Sequence, residues 1–118
     1  MEWTLHDLAL SYYESGPAHY RRTPKHIVPE AGDYYYVCIP RAPGSVLTLV
    51  QGKRNGVCLP GQLMMVSSAR TCEQSHNEMS ITAVRLPGRT IRERIRRADE
   101  HSAVAIPCKA AVGALFVR

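Results

Sequence analysis

The chain has 118 residues, 45% of them hydrophobic and 21% charged, with a formal net charge of +5. That is enough for one hydrophobic core and not for two, so a single domain over residues 1–118 is expected, with no disordered or low-complexity tract. No apolar stretch approaches the roughly 20 residues needed to span a bilayer, and Met1-Glu2-Trp3 has neither the basic head nor the apolar body of a signal peptide. A cytoplasmic chain without a membrane partner is therefore expected.

Short strands separated by turn residues make up most of the chain. Leu8 to Tyr13 is the first, closed by Ser15-Gly16-Pro17. Tyr20 to Val28 follows, interrupted by Pro24, which suits an edge or a bulge. Ala31-Gly32-Asp33 turns the chain into Tyr34-Tyr35-Tyr36-Val37-Cys38-Ile39, where aromatic and β-branched side chains fit a pleated surface better than a helix. Pro43-Gly44 precedes a strand from Val46 to Gln51, and Gly52 to Gly56 links it as a hairpin to Val57-Cys58-Leu59. Pro60-Gly61 leads into Gln62 to Ser68, and Met79 to Leu86 runs as a strand up to Pro87-Gly88.

Thr90 to Arg97 is the one predicted helix, with Thr90 as N-cap and Glu93 three residues on, a capping-box pattern. His101 to Ile106 and Val112 to Val117 are predicted as two final strands. About eight short strands punctuated by turns argue for an all-β fold, an antiparallel sandwich or barrel of the cupin-like, jelly-roll type with one short helix near the C-terminus.

Reactive groups are scattered rather than convergent. Cys38, Cys58, Cys72 and Cys108 form no C-x-x-C pair and read as small apolar residues. His6, His19, His26, His76 and His101 include no H-x-H or H-E-x-x-H pair, so no metal site and no cofactor are expected. Ser67-Ser68 lacks the G-x-S-x-G elbow, and Ser75-His76 lacks an orienting acid. No catalytic residue is assigned, and the chain is expected not to be an enzyme. Arg85, Arg89, Arg92, Arg94, Arg96 and Arg97 cluster with Glu93, Asp99 and Glu100, a pattern read as a solvated helix of mixed charge rather than a DNA-reading element.

What remains is a set of polar groups on apolar strands: Arg22, Tyr36, Thr48, Ser67 and Arg85. Period-2 alternation places Tyr34, Tyr36 and Cys38 on one face and Tyr35, Val37 and Ile39 on the other. A tyrosine facing the interior supplies an apolar ring and one hydroxyl, which suits orienting a small molecule. With His26 and Met65 added as pocket wall, the candidate ligand-binding set is Arg22, His26, Tyr36, Thr48, Met65, Ser67 and Arg85. Methionines such as Met64 and Met65 also serve commonly as core filler.

Six segments occur in a recognisable order. They are Arg22-Thr23-Pro24-Lys25-His26-Ile27, Asp33-Tyr34-Tyr35-Tyr36-Val37, Leu49-Val50-Gln51-Gly52-Lys53, Leu59-Pro60-Gly61-Gln62-Leu63, Ser67-Ser68-Ala69-Arg70-Thr71-Cys72-Glu73 and Val84-Arg85-Leu86-Pro87. From about Arg21 to Arg94 this order resembles the N-terminal sensor domain of AraC-family transcription regulators. The resemblance implies a metal-free, cupin-like barrel that binds a small organic effector or mediates homodimerisation. In that family, helices after the barrel form the dimer contact and a C-terminal domain with two helix-turn-helix units binds DNA. The sequence ends at Arg118, so the expectation is a fragment or truncated product that reaches DNA only through an absent helix-turn-helix domain. Two other readings stand beside it: a small cupin enzyme (isomerase, lyase or dioxygenase), and an interaction module whose barrel is filled by its own side chains.

Overall fold

The computed structural model describes residues 2–5, 8–22 and 33–110. Strands β1 (Glu2–Leu5), β2 (Leu8–Ser15), β3 (Ala18–Arg22), β4 (Tyr34–Pro40) and β5 (Leu47–Gln51) come first in chain order. They are followed by β6 (Arg54–Cys58), β7 (Gln62–Ser67), β8 (Cys72–His76) and β9 (Met79–Pro87). A helix, α1 (Gly88–Arg94), a 3-10 helix (Ala98–His101) and β10 (Ile106–Pro107) follow, and residues 108–110 are again helical. The strands form two antiparallel sheets, one ordered β1-β2-β9-β4-β7-β10 and the other β3-β8-β5-β6. Together they make a cupin-like β-sandwich.

The register of β4 explains why the tyrosine-rich strand lies at the centre of the larger sheet. Tyr35, Val37 and Ile39 pair with Leu86, Val84 and Thr82 of β9, and Tyr35 and Val37 also pair with Ser67 and Met65 of β7. This face packs with Leu63, Ile91 and Ala98 into a cluster beneath α1 and the 3-10 helix. The alternate residues Tyr36 and Cys38 pair with Arg85 and Ala83, and on the other side with Val66 and Met64. Cys38, Met64 and Val66 meet Leu47, Leu49 and Cys58 of the smaller sheet in a second cluster between the sheets. Because both faces of β4 are covered, apolar residues occupy both parities of this strand.

Two polar links fasten the elements after β9 to the larger sheet. Arg92 of α1 grips Asp33, just before β4, with a hydrogen bond of 3.3 Å to Oδ1 and a shorter one to Oδ2. The hydrogen bond from Arg92 holds the Asp33 carboxyl below the usual carboxylate range. Tyr35, 1% exposed, donates its hydroxyl to Asp99 Oδ1 at 2.5 Å. Burial, and then the bond to Asp99, push the Tyr35 phenol from 10.0 up to about 12. A folded-state pKa raised in this way gives stability that is complete below pH 10.0 and is lost as the pH climbs through about 12. Denaturant unfolding of the native chain and of Tyr35→Phe should therefore converge across that alkaline window, with the flatter slope in the variant. Burial likewise raises Cys38 to about 12 and Cys58 to about 11, so the difference between the two proteins is the quantity to read. Parallel slopes would mean that Tyr35 ionises as freely folded as unfolded.

Several expectations from sequence need correction. The helix starts at Gly88 with Pro87 at its N-cap, and no side chain caps it. The Gly88 N–H instead donates to the Asp33 carbonyl at 2.8 Å, which fixes the first turn earlier than Thr90 would. The segment from His101 to Ile106 is not a strand. It closes the side of the sandwich, with Ala103 N donating to the Met65 carbonyl at 3.0 Å, and only Ile106 and Pro107 join the sheet. Two strands, β1 and β8, were not anticipated. The predicted stretch from Thr23 to Val28 and the strand from Val112 to Val117 lie outside the described residues.

Candidate effector site

The inner face of the larger sheet changes character along its length. Its middle is filled by side chains: Leu47 and Leu49 are 1% exposed, and Cys58 and Met64 are 0% exposed. At the end where β4 begins and β9 finishes, the same face carries Tyr34, Tyr36 and Arg85, all half-buried. Tyr36 and Arg85 are direct cross-strand partners, and the Arg85 guanidinium carbon sits 4.5 Å from the centroid of the Tyr34 ring. Ser68 borders this corner, accepting a hydrogen bond from Tyr34 N at 3.0 Å.

Gln51 closes the same end from the smaller sheet. Its side-chain amide donates to the Ser67 carbonyl at 2.9 Å and accepts from the Ser67 N–H at 2.9 Å, so it pairs with the edge of β7 as a further strand would. The corner is therefore built on two paired β-sheets and a buried amide clamp, a rigid support for a binding group.

Arg85 is the exceptional residue. Its Nε is buried and has no hydrogen-bond partner among the described residues. Stacking on an aromatic face contributes about 0.5–2 kcal/mol to a cation. It leaves the in-plane Nε–H unsatisfied, and an unmade bond at a buried charged donor costs about 1–3 kcal/mol or more. Ser45 Oγ and Ser102 Oγ share that state, but a hydroxyl is a neutral rotor, whereas a guanidinium is a charged fork of fixed geometry.

The candidate residues from sequence divide accordingly. Tyr36 and Arg85 come together on the inner face. Met65 and Ser67 lie on the opposite face of β7, with Met65 in the cluster beneath α1. Thr48 pairs with Val57 and Ser75 on the outer face of the smaller sheet, since Leu47, Leu49 and Gln51 are the buried residues of β5. The backbone of Arg22 pairs with Cys72 at the start of β8. His26 lies outside the described residues. Tyr34, Gln51 and Ser68 were not singled out, although the alternation of β4 already put Tyr34 on the face of Tyr36.

The far end of the larger sheet has the opposite chemistry. A surface groove of about 640 Å³ there is lined by Glu14, Pro43, Gly44, Glu78 and Ser80. Beneath α1, a cavity of about 340 Å³ touches Tyr35, Arg92, Arg97, Asp99 and Glu100, where Tyr35 bonds Asp99, Arg97 pairs with Glu100 and Arg92 is taken up by Asp33. Among the described residues no group of three or more His, Cys, Asp and Glu side chains is arranged to hold a metal ion.

A family model described as an AraC-binding-like domain matches residues 2–118. The chain belongs to this family. Among solved structures, the AraC-like transcriptional activator CuxR is similar, with a TM-score of 0.78 and 13% sequence identity over 88% of this chain. At that identity the likeness speaks for the fold. This chain spans 38% of the length of that activator. No curated protein matches the sequence. No helix among the described residues is long and apolar enough to cross a membrane.

Proposed function

We propose that this AraC-binding-like domain is the sensing part of a transcription regulator. It binds a small organic effector at the Tyr34–Tyr36–Arg85 corner and acts by binding rather than catalysis. The effector favours one of two arrangements of the domain, and that shift in population passes to a DNA-binding domain outside this sequence. Homodimerisation and a cytoplasmic location belong to the same proposal. The observation that carries it is the corner itself: a cationic, aromatic, half-buried patch at one end of an inner face whose middle is filled by apolar side chains. Polar groups converging at the mouth of an apolar fold are the usual composition of a small-molecule site.

A thermal-shift screen with sugars, aromatic acids and nitriles tests the reading. A ligand that binds only the folded state at about 100 times its Kd adds about 2.7 kcal/mol, a rise of several degrees in Tm. A screen in which no solute moves Tm would overturn the sensing role.

The near-complete burial of Leu47, Leu49, Cys58 and Met64 favours a second reading, an interaction module with a filled interior. That reading requires a concentration-dependent dimer in sedimentation together with a Tm indifferent to every solute.

A further inference from the structure

We propose that the effector carries a carboxylate and that Arg85 is the residue that selects it. The inference rests on the effector-binding reading above and adds the chemical class of the ligand. A guanidinium presents its Nε–H and one terminal N–H as parallel donors, and a carboxylate is the small group whose two oxygens match that fork. At Arg85 one prong of the fork is already desolvated and unmatched, and the ring of Tyr34 lies against the guanidinium.

No carboxylate among the described residues supplies the missing partner. Asp33, Glu73, Glu93 and Glu100 pair with Arg92, Arg21, Arg89 and Arg97, and Asp99 accepts from Tyr35. Glu14 and Glu78 stand at the opposite end of the sheet, where they would repel an anion. The charge distribution thus steers an acidic ligand towards one end of the sandwich and away from the other. The filled middle confines it to the corner, so its carboxylate meets Arg85 while its body rests near Tyr36. Among the described side chains Arg85 is the guanidinium at this corner, and one such charge suits a monoanion better than a doubly charged phosphate.

Matched acids and amides test this on the 118-residue chain: benzoate against benzamide and hexanoate against hexanamide, with inorganic phosphate and sulfate alongside. Glucose and benzonitrile serve as neutral probes outside the acid series. Binding is followed by Tm and by titration calorimetry for the native chain, Arg85→Lys and Arg85→Met. The expected result is that an acid raises Tm while its amide does not. Arg85→Met should weaken that acid at least tenfold, with Arg85→Lys in between. Binding by the native chain should also fall as pH drops through the acid's own pKa, a readout that needs no variant to fold. Arg85→Met without ligand should keep its Tm or gain a little, because an unsatisfied buried donor has been removed.

Equal binding of acid and amide, or undiminished acid binding by folded Arg85→Met, would overturn the carboxylate while leaving effector binding intact. So would stabilisation by glucose or benzonitrile with none by the acids, or phosphate and sulfate binding as tightly as the acids in an Arg85-dependent way. If no probe stabilises the chain, the sensing role falls and the carboxylate falls with it.

Discussion

Replacing Gly56 with alanine is expected to destabilise the domain by about 2–3 kcal/mol, the upper part of the range for an overpacked site. For a domain of this size that is roughly a 10 °C fall in Tm. Gly56 lies in β6 opposite Leu49, at the edge of the smaller sheet. A Cβ there would strike the carbonyl oxygen of Ala103 and come within 2.8 Å of Met64 Sδ. Neither neighbour yields cheaply. Met64 is 0% exposed, and the Ala103 backbone is held by its N–H bond to Met65 and by a left-handed φ of 59°. The preceding carbonyl, Ser102 O, is also tied down, accepting from Arg54 Nε at 2.7 Å. The closing segment would have to lift off β6 and give up these contacts. Urea unfolding of Gly56→Ala measures the cost, and an unchanged midpoint would show that the segment around Ala103 does not rest on β6.

That segment also shows where local sequence stops determining structure. Ser102 to Ile106 is small and apolar enough to read as a strand, but its hydrogen bonds go to the edge of the sandwich, and only its last residue and Pro107 enter a sheet. β8 is the converse. Cys72-Glu73-Gln74-Ser75-His76 has little strand character, and it is extended because β3 and β5 pair with it on either side. Its order comes from neighbours far away in sequence, which local propensity does not register.

The Tyr34–Tyr36–Arg85 corner was half legible for a related reason. β4 alternates clearly enough to place Tyr34 and Tyr36 together, and β9 runs Ile81, Ala83, Arg85 on the matching face. β7 gives no such guide. Leu63, Met64, Met65 and Val66 are all buried because both faces of the sheet are covered, so parity cannot be read from polarity. A change of one residue in parity moves a side chain to the other face. Met64 therefore faces the inter-sheet core while Met65 packs beneath α1. Thr48 followed a different logic. A polar residue between buried leucines marks the outer face of a half-covered strand, which is where the structure puts it.

The amide clamp at Gln51 should be at least as sensitive as Gly56, and it carries a distinctive dependence on pH. Gln51 is 1% exposed, and its side chain is matched at 2.9 Å both to the N–H and to the carbonyl of Ser67. Gln51→Leu conserves bulk but leaves two buried backbone groups without partners, at about 1–3 kcal/mol each, so a loss of roughly 2–6 kcal/mol is expected. Gln51→Glu separates the two bonds. An ionised carboxylate still accepts from the Ser67 N–H, but it has nothing to donate to the Ser67 carbonyl and is desolvated as well. A protonated carboxyl restores the donor. Burial and the facing carbonyl oxygen both favour the neutral form, so the folded-state pKa of this glutamate should lie above the unfolded value of about 4.3. The stability it retains is then complete below that unfolded value and drains away as the pH rises through the folded one. Unfolding at mildly acidic and at neutral pH should show Gln51→Glu close to the native protein in acid and close to Gln51→Leu at neutrality. The same deficit at both values would mean that the donor half of the clamp contributes nothing, and that the N–H of Ser67 alone anchors the smaller sheet at the end where Arg85 sits.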